Sequence, residues 1–87
     1  MTVPKPIRLT GHAKGQLEFR GTTEREIVGA IRTSPWQPAE LGRLECRKDF
    51  PFNAEWNRQW YATKQVRPIF VEEAEAIVVV TVYVYYS

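Results

Sequence analysis

His12 is the only histidine in the chain, and it stands in a stretch, I-R-L-T-G-H-A-K-G-Q-L-E-F-R-G from Ile7 to Gly21, that also carries Arg20. Imidazole is the one side chain whose ordinary pKa lies near neutrality. Near the other end, V-V-V-T-V-Y-V-Y-Y brings Thr81, Tyr83 and Tyr85, and Lys64 and Arg67 lie ahead of it. Cations, one imidazole and several hydroxyls suit a reaction in which the substrate supplies its own nucleophile. RNA does so with its 2′-hydroxyl. An enzyme then needs a base near that hydroxyl, cations around the phosphate and an acid for the leaving 5′-oxygen, and no metal is required. His12 would be the base or the acid. Arg20, Lys64 or Arg67 would hold phosphate oxygens. Tyr83 and Tyr85 would stack a base or donate a hydrogen bond.

Each of these residues also has an ordinary structural role open to it. His12 at a helix start can bond locally. Arg20 near a helix C-terminus complements the helix dipole. Thr81 can be a plain strand threonine, and Tyr83 and Tyr85 can simply finish a sheet face. Trp36, Trp56 and Trp60 read as packing for the sheet and its loops, although a Trp exposed among Asn57, Arg58 and Gln59 would also suit contact with RNA or a partner.

Other chemistries lack their residues. One histidine and one cysteine, without clustered partners, do not make a zinc site. Glu72, Glu73 and Glu75 are close in sequence, but strand alternation separates Glu72 from Glu73, so they read as a solvated hairpin tip. No glycine-rich loop leads into Lys and Ser/Thr, and no dinucleotide fingerprint occurs. The lone His has no Ser or Cys partner for a hydrolytic triad. No cofactor is implied. Cys46, alone, can form no internal disulfide, which fits a reducing compartment.

The elements that must position these groups are legible in outline. The 87 residues, 44% hydrophobic and 13% aromatic, suffice for one small domain with a real core. Pro4 and Pro6 mark residues 1–6 as a loose, stiff leader before a domain spanning 7–87. Residues 7–9 read as a short strand or an extended approach. Thr10 is placed to cap a helix over about Gly11–Arg20, with Gly21 just past its end, although Gly11 and Gly15 weaken it by propensity and leave its boundaries loose. Thr23 with Glu26 has capping-box spacing, and Ile27, Val28, Ala30 and Ile31 recur at helical period, so a second helix runs from Glu24 to about Thr33 and stops at Pro35.

Residues 34–42 read as a loop, Arg43–Phe50 as a strand, Pro51–Arg58 as a long turn, and Trp60–Val71 as a strand broken near Thr63. Pro68 argues for an edge position or a bulge. Ile77–Tyr86 is the clearest strand. With Ala74 and Glu75 as its turn, a hairpin pairs Val71 with Val78, Phe70 with Val79, Ile69 with Val80 and Gln65 with Val84. Val78, Val80, Val82 and Val84 then form one face, suited to cover the helices, and Thr81, Tyr83 and Tyr85 lie on the other. This pairing puts Arg67 on the valine face, unless a bulge at Pro68 flips the alternation. The expected fold is therefore α+β, with two N-terminal helices on one face of a three- to four-stranded, mainly antiparallel sheet.

The formal net charge is +2, yet residues 42–67 hold Arg43, Arg47, Lys48, Arg58, Lys64 and Arg67 against three acids. This basic middle adds Arg47, Lys48 and Arg58 to Arg67 and Tyr85 as candidate RNA contacts. The N-terminus has no apolar signal core, and the apolar run 77–86 is too short for a membrane helix. A cytoplasmic, non-membrane protein is expected.

The order I-R-L-T-G-H-A, then L-E-F-R-G-T-T-E-R-E-I-V-G-A-I, a basic middle and V-V-V-T-V-Y resembles a family of small bacterial domains of unknown function. Its opening motif is like T-x-H-A…R-G-I-T-x-x-x-V…A-I, and its closing motif like h-x-T-V-Y, with h a hydrophobic residue. That family looks related to the BrnT and RelE toxins, whose wider fold group includes barnase-like ribonucleases. The resemblance covers about residues 7–33 and 64–84. Thr22 departs from it, standing where a β-branched apolar residue is usual.

The resemblance implies RNA bound on the sheet face opposite the helices and metal-independent cleavage by 2′-oxygen attack. It also implies an antitoxin partner and, for RelE-like members, the ribosome. By motif, His12 and Arg20 match the pair of the opening helix and Thr81 and Tyr83 match the closing strand. Lys64 matches by position only. Three readings follow: an endoribonuclease toxin-like domain, a non-catalytic RNA- or protein-binding module, and a protein that forms a homodimer through its terminal hairpin. The small net charge leans toward the last two.

Overall fold

The structure, a computed structural model, describes residues 4–87. It is an α+β fold of two helices and a mixed six-stranded sheet. Strand β1 (Ile7–Leu9) leads into α1 (Gly11–Arg20) and α2 (Glu24–Thr33). Then come β2 (Gln37–Pro38), a 3₁₀ turn (Glu40–Gly42), β3 (Leu44–Glu45), β4 (Lys48–Trp56), β5 (Gln59–Glu72) and β6 (Ile77–Tyr86). The sheet order is β1-β6-β5-β3-β2, and β4 also pairs with β5. The strand count exceeds the three or four expected. The order is also not purely antiparallel, because β1 runs parallel to β6, with Ile7 opposite Ile77.

The helix signals act as their chemistry requires. Thr10 Oγ1 accepts from the Ala13 N–H at 3.2 Å, and Gly21 ends α1 at φ 77°. Thr23 Oγ1 accepts from the Glu26 N–H at 3.2 Å. Only this half of the capping box forms, because the Glu26 carboxylate turns to the Thr22 hydroxyl and Lys64 instead. Ala13, Ile27, Ala30 and Ile31 bury against Val66, Phe70, Val79 and Val82, so both helices lie on one face of the sheet. Among the described residues the other face carries no α-helix.

The long turn expected at Pro51–Arg58 is strand. Edge strand β4 tolerates Pro51, bulges between Pro51 and Ala54 with Asn53 at φ 48°, and turns at Asn57 and Arg58. Both turn residues have positive φ, 52° and 68°, as the hairpin turn that matches strand twist demands. The strand expected over Arg43–Phe50 is split at Cys46 and Arg47. The gap lies directly across from Pro68, which has no N–H to give the ladder. Strand β5 is not broken near Thr63; it runs unbroken from Gln59 to Glu72.

The terminal hairpin pairs Val71 with Val78 and Phe70 with Val79, as expected, and then slips by one residue. Ile69 faces Thr81, Arg67 faces Tyr83 and Gln65 faces Tyr85, which leaves Val80 as the extra residue. The expected single valine face is therefore replaced. Ile77, Val79, Val82 and Val84 face the helices. The same slip puts Arg67 beside Tyr83 and Tyr85 on the open face. The bulge occurs in β6 and not at Pro68.

Of the expected leader, residues 1–3 lie outside the described residues. Lys5 bonds Glu72 Oε2 at 3.2 Å and the Glu73 carbonyl at 2.9 Å, and the Pro6 carbonyl accepts from Ile77 N–H.

Candidate functional site

The open face is built by the inward-outward alternation of β5 and β6 beyond the bulge. Arg67, Ile69, Thr81 and Tyr83 project from it, and the segment Ala39–Arg43 rises beside them to form a groove of about 280 Å³. Leu41 stands on its rim, 84% exposed, at φ 60°. Glu40 and Arg43 complete the lining.

Tyr83, 37% exposed, is the centre of this surface. The Arg20 guanidinium lies 5.4 Å from its ring centroid and that of Arg67 lies 5.7 Å away. Both distances fall within the range of cation–π attraction. The two arginines differ in what else they touch. Arg67 Nε donates to Glu45 Oε2 at 2.6 Å, a second guanidinium nitrogen pairs with the same carboxylate, and a third donates to the Tyr85 hydroxyl at 3.2 Å. These bonds, Tyr85 first and then Glu45, raise its pKa above the ordinary arginine value. Arg20 has no ion pair among the described residues, and its Nε is buried without a hydrogen-bond partner.

Helix α1 packs along β6, and side chains cross the seam. Thr81 Oγ1 donates to Gln16 Oε1 at 2.6 Å, and the Val82 N–H donates to the same oxygen at 3.1 Å. The Thr10 hydroxyl donates to the Val80 carbonyl at 3.4 Å. With β1 beside residues 77–79, these bonds cover the β6 margin over residues 77–82. His12 is exposed on α1, two turns from Arg20 and on the side of the helix that carries Gln16.

The sequence-predicted catalytic set is thus brought together in part. Arg20, Thr81 and Tyr83 gather along the α1–β6 seam. His12 lies at the far end of the same helix, about 12 Å along its axis from Arg20. Lys64 is elsewhere. It is 7% exposed on the helix side of the sheet, where its Nζ donates to Glu26 Oε1 at 2.8 Å and to the Gly21 carbonyl at 3.0 Å. Its charge also lies 5.5 Å from the Phe52 ring. A cation so committed ties α2 to the sheet and does not face the groove.

The candidate RNA contacts divide similarly. Arg67 and Tyr85 are on the open face, and exposed Arg47 stands beside them, 3.9 Å from Glu45. Lys48 turns to the helix side, where it donates to Thr33 Oγ1 at 2.9 Å. Arg58 sits at the tip of the β4–β5 hairpin, away from the groove.

Sequence reasoning passed over Arg43, Leu41 and Gln16. Arg43 and Leu41 gain their place from the 3₁₀ turn. Gln16 carried a usable signal: it lies four residues from both His12 and Arg20, on one stripe of α1. The aromatic residues Phe52, Trp56, Tyr61 and Tyr86 cluster on the helix side, with Trp56 stacked on Tyr86 at 5.0 Å and 18°. The Tyr86 hydroxyl donates to the Arg20 carbonyl at 2.8 Å, and burial, then the Glu26 charge, raises its pKa. Trp36 packs edge-on to Phe70 and donates to the Ile31 carbonyl.

Among the described residues no cluster of three or more His, Cys, Asp or Glu is placed to hold a metal ion, and no helix is long and apolar enough to cross a membrane. No family model matches the chain, and neither a curated protein nor a solved structure matches it.

Proposed function

We propose that the chain is an RNA-binding domain of the BrnT/RelE-like toxin kind, which takes a single-stranded RNA across the open face of its sheet. The carrying observation is Tyr83, a part-exposed ring flanked by the guanidiniums of Arg20 and Arg67 at the edge of a groove. Arginine beside an aromatic ring is the pairing that single-stranded nucleic acid uses: the ring stacks a base and the cation meets the next phosphate. Arg43 and Arg47 extend the positive surface, and Tyr85 offers a second ring. Titration of a labelled oligoribonucleotide, followed by anisotropy, tests this reading. Binding that weakens with salt and weakens again in Tyr83→Ala supports it. Absence of binding at low salt by the folded protein overturns it.

A second reading, metal-independent cleavage by 2′-hydroxyl attack, is favoured by the meeting of Arg20, Thr81 and Tyr83 along the seam. Lys64 has no part in it. His12 would act only on an RNA that follows α1 toward its start. RNA cut in the presence of EDTA, leaving cyclic phosphate ends, would support cleavage, as would host growth arrest relieved by His12→Ala. RNA bound but left intact selects the binding module. An antitoxin, on this reading, is the partner that would cover the same face.

A further inference from the structure

Gln16 lies one turn from His12 and one turn from Arg20. Its Oε1 takes two hydrogen bonds, from Thr81 Oγ1 at 2.6 Å and from the Val82 N–H at 3.1 Å. A backbone N–H can only donate, so it fixes which end of the amide is oxygen. With that oxygen held by two donors, the NH₂ end is turned off the strand in a set direction. Among the described residues this NH₂ makes no hydrogen bond, and it is not a fully buried atom. The side chain is thus a donor held in place through its oxygen, with an NH₂ end that is unpaired among the described residues and not fully enclosed.

One turn further along α1, Arg20 is in a comparable condition. Its guanidinium lies 6.0 and 5.4 Å from the Phe19 and Tyr83 rings and, among the described residues, pairs with no carboxylate. Side chains four residues apart on a helix stand about 5–6 Å apart at Cβ. One phosphate group, with its oxygens on either side, spans that interval. Arg67, the other guanidinium at Tyr83, already has Glu45 as its counter-ion. The uncommitted positive charge and the uncommitted amide therefore lie together on the seam.

We infer that Gln16 and Arg20 hold one phosphate of the bound RNA strand between them, with the Gln16 amide as a hydrogen-bond donor anchored by Thr81 and Val82. This rests on the RNA-binding reading and assigns its phosphate subsite. Thr81 becomes a positioning residue, which acts through Gln16 and does not touch the phosphate.

The test is Gln16→Glu. A carboxylate of the same shape keeps an acceptor for Val82 N–H and Thr81, so the fold is retained, while the outward donor becomes an anionic oxygen. Thermal midpoint should stay near that of the wild type, and affinity for a single-stranded oligoribonucleotide should fall about tenfold or more. In ¹⁵N-labelled wild-type protein, the Gln16 side-chain NH₂ signals should move on titration with the same oligonucleotide, and those of Gln59, on the far hairpin, should not. Equal affinity of Gln16→Glu and wild type overturns the inference. So do Gln16 signals that stay still while the backbone signals of Tyr83 and Arg67 move. A wild type that binds no oligonucleotide overturns the RNA-binding reading itself and this subsite with it, a pattern distinct from both.

Discussion

The guanidinium of Arg20, the last residue of the first helix, sits 5.4 Å from the ring of Tyr83, near the end of the last strand. The two residues are joined by no ion pair. Their relative position is set by the Gly21 turn behind Arg20 and by the bulge at Val80 ahead of Tyr83. The extra residue in β6 turns Tyr83 toward Arg67 as well, so one ring meets two cations.

The first prediction concerns that ring. Tyr83→Ala should weaken oligoribonucleotide binding by about 1–3 kcal/mol, the worth of one base–aromatic stack. Tyr83→Phe should keep most of the affinity, because the face of the ring does the stacking. Arg20→Ala should lower affinity and make the salt dependence shallower by about one counterion. If Tyr83→Phe were as weak as Tyr83→Ala, the hydroxyl and not the ring would be the contact. Anisotropy titrations at several salt concentrations check all three.

Lys64 is predicted to matter for folding and not for RNA. Its ammonium is nearly enclosed, with Glu26 Oε1 at 2.8 Å. Lys64→Ala leaves the Glu26 carboxylate with the Thr22 hydroxyl alone and should cost about 3 kcal/mol of stability. In a domain of this size that is a fall in midpoint of roughly 12–24 °C. The variant, assayed well below its midpoint, should bind RNA as the wild type does. Calorimetry and anisotropy on one preparation separate the two effects.

Lys64 also shows where sequence stops informing. Both helix starts were legible, because Thr10 and Thr23 are side chains that act on the backbone three residues ahead. The first rungs of the terminal hairpin were legible from its turn. Val80 was not. It has the same β-branched character as its neighbours, so nothing in the residue types says that it is the one without a partner. Every facing beyond it, Arg67 with Tyr83 included, depends on that one slip. Lys64, in turn, reads as a cation near a phosphate site, and only the packing of α2 brings Glu26 over it. Strand β4 was hidden because Pro51 and Asn57–Arg58 resemble turn material, although an edge strand accepts the one and a tight hairpin the other.

Gly21 should tolerate no side chain. A Cβ there would lie 2.3 Å from the Tyr86 hydroxyl and 2.7 Å from the Trp56 ring, at φ +77°. Left-handed backbone costs an alanine about 1–2 kcal/mol, and overpacking adds about 1–3 kcal/mol. Gly21→Ala should therefore lose roughly 2–5 kcal/mol in a urea titration. Pairing it with Trp56→Ala, which opens the space, should make the second loss smaller than it is alone. Strict additivity of the two would mean that the contact is not the cause.

The last prediction is a pH dependence. Burial, and after it the Glu45 charge, pushes the Cys46 thiol from its ordinary 9.0 up to about 11. The folded protein therefore holds the thiol proton more tightly than the unfolded chain does. Stability from this source is fully present below about pH 9 and is lost as the pH rises toward about 11, because the unfolded state ionises first. A difference of this size corresponds to about 2–3 kcal/mol. Tyr86, also raised by burial from its ordinary 10.0, acts in the same direction. Cys46→Ala should lower the midpoint somewhat at neutral pH by leaving a small cavity, and should then fall less steeply than the wild type between pH 9 and 11. Below that window, at pH 8.5, the wild-type thiol should resist alkylation until denaturant is added. Rapid labelling of Cys46 in the folded protein at pH 8.5 would show that it is not sealed between β3 and β4.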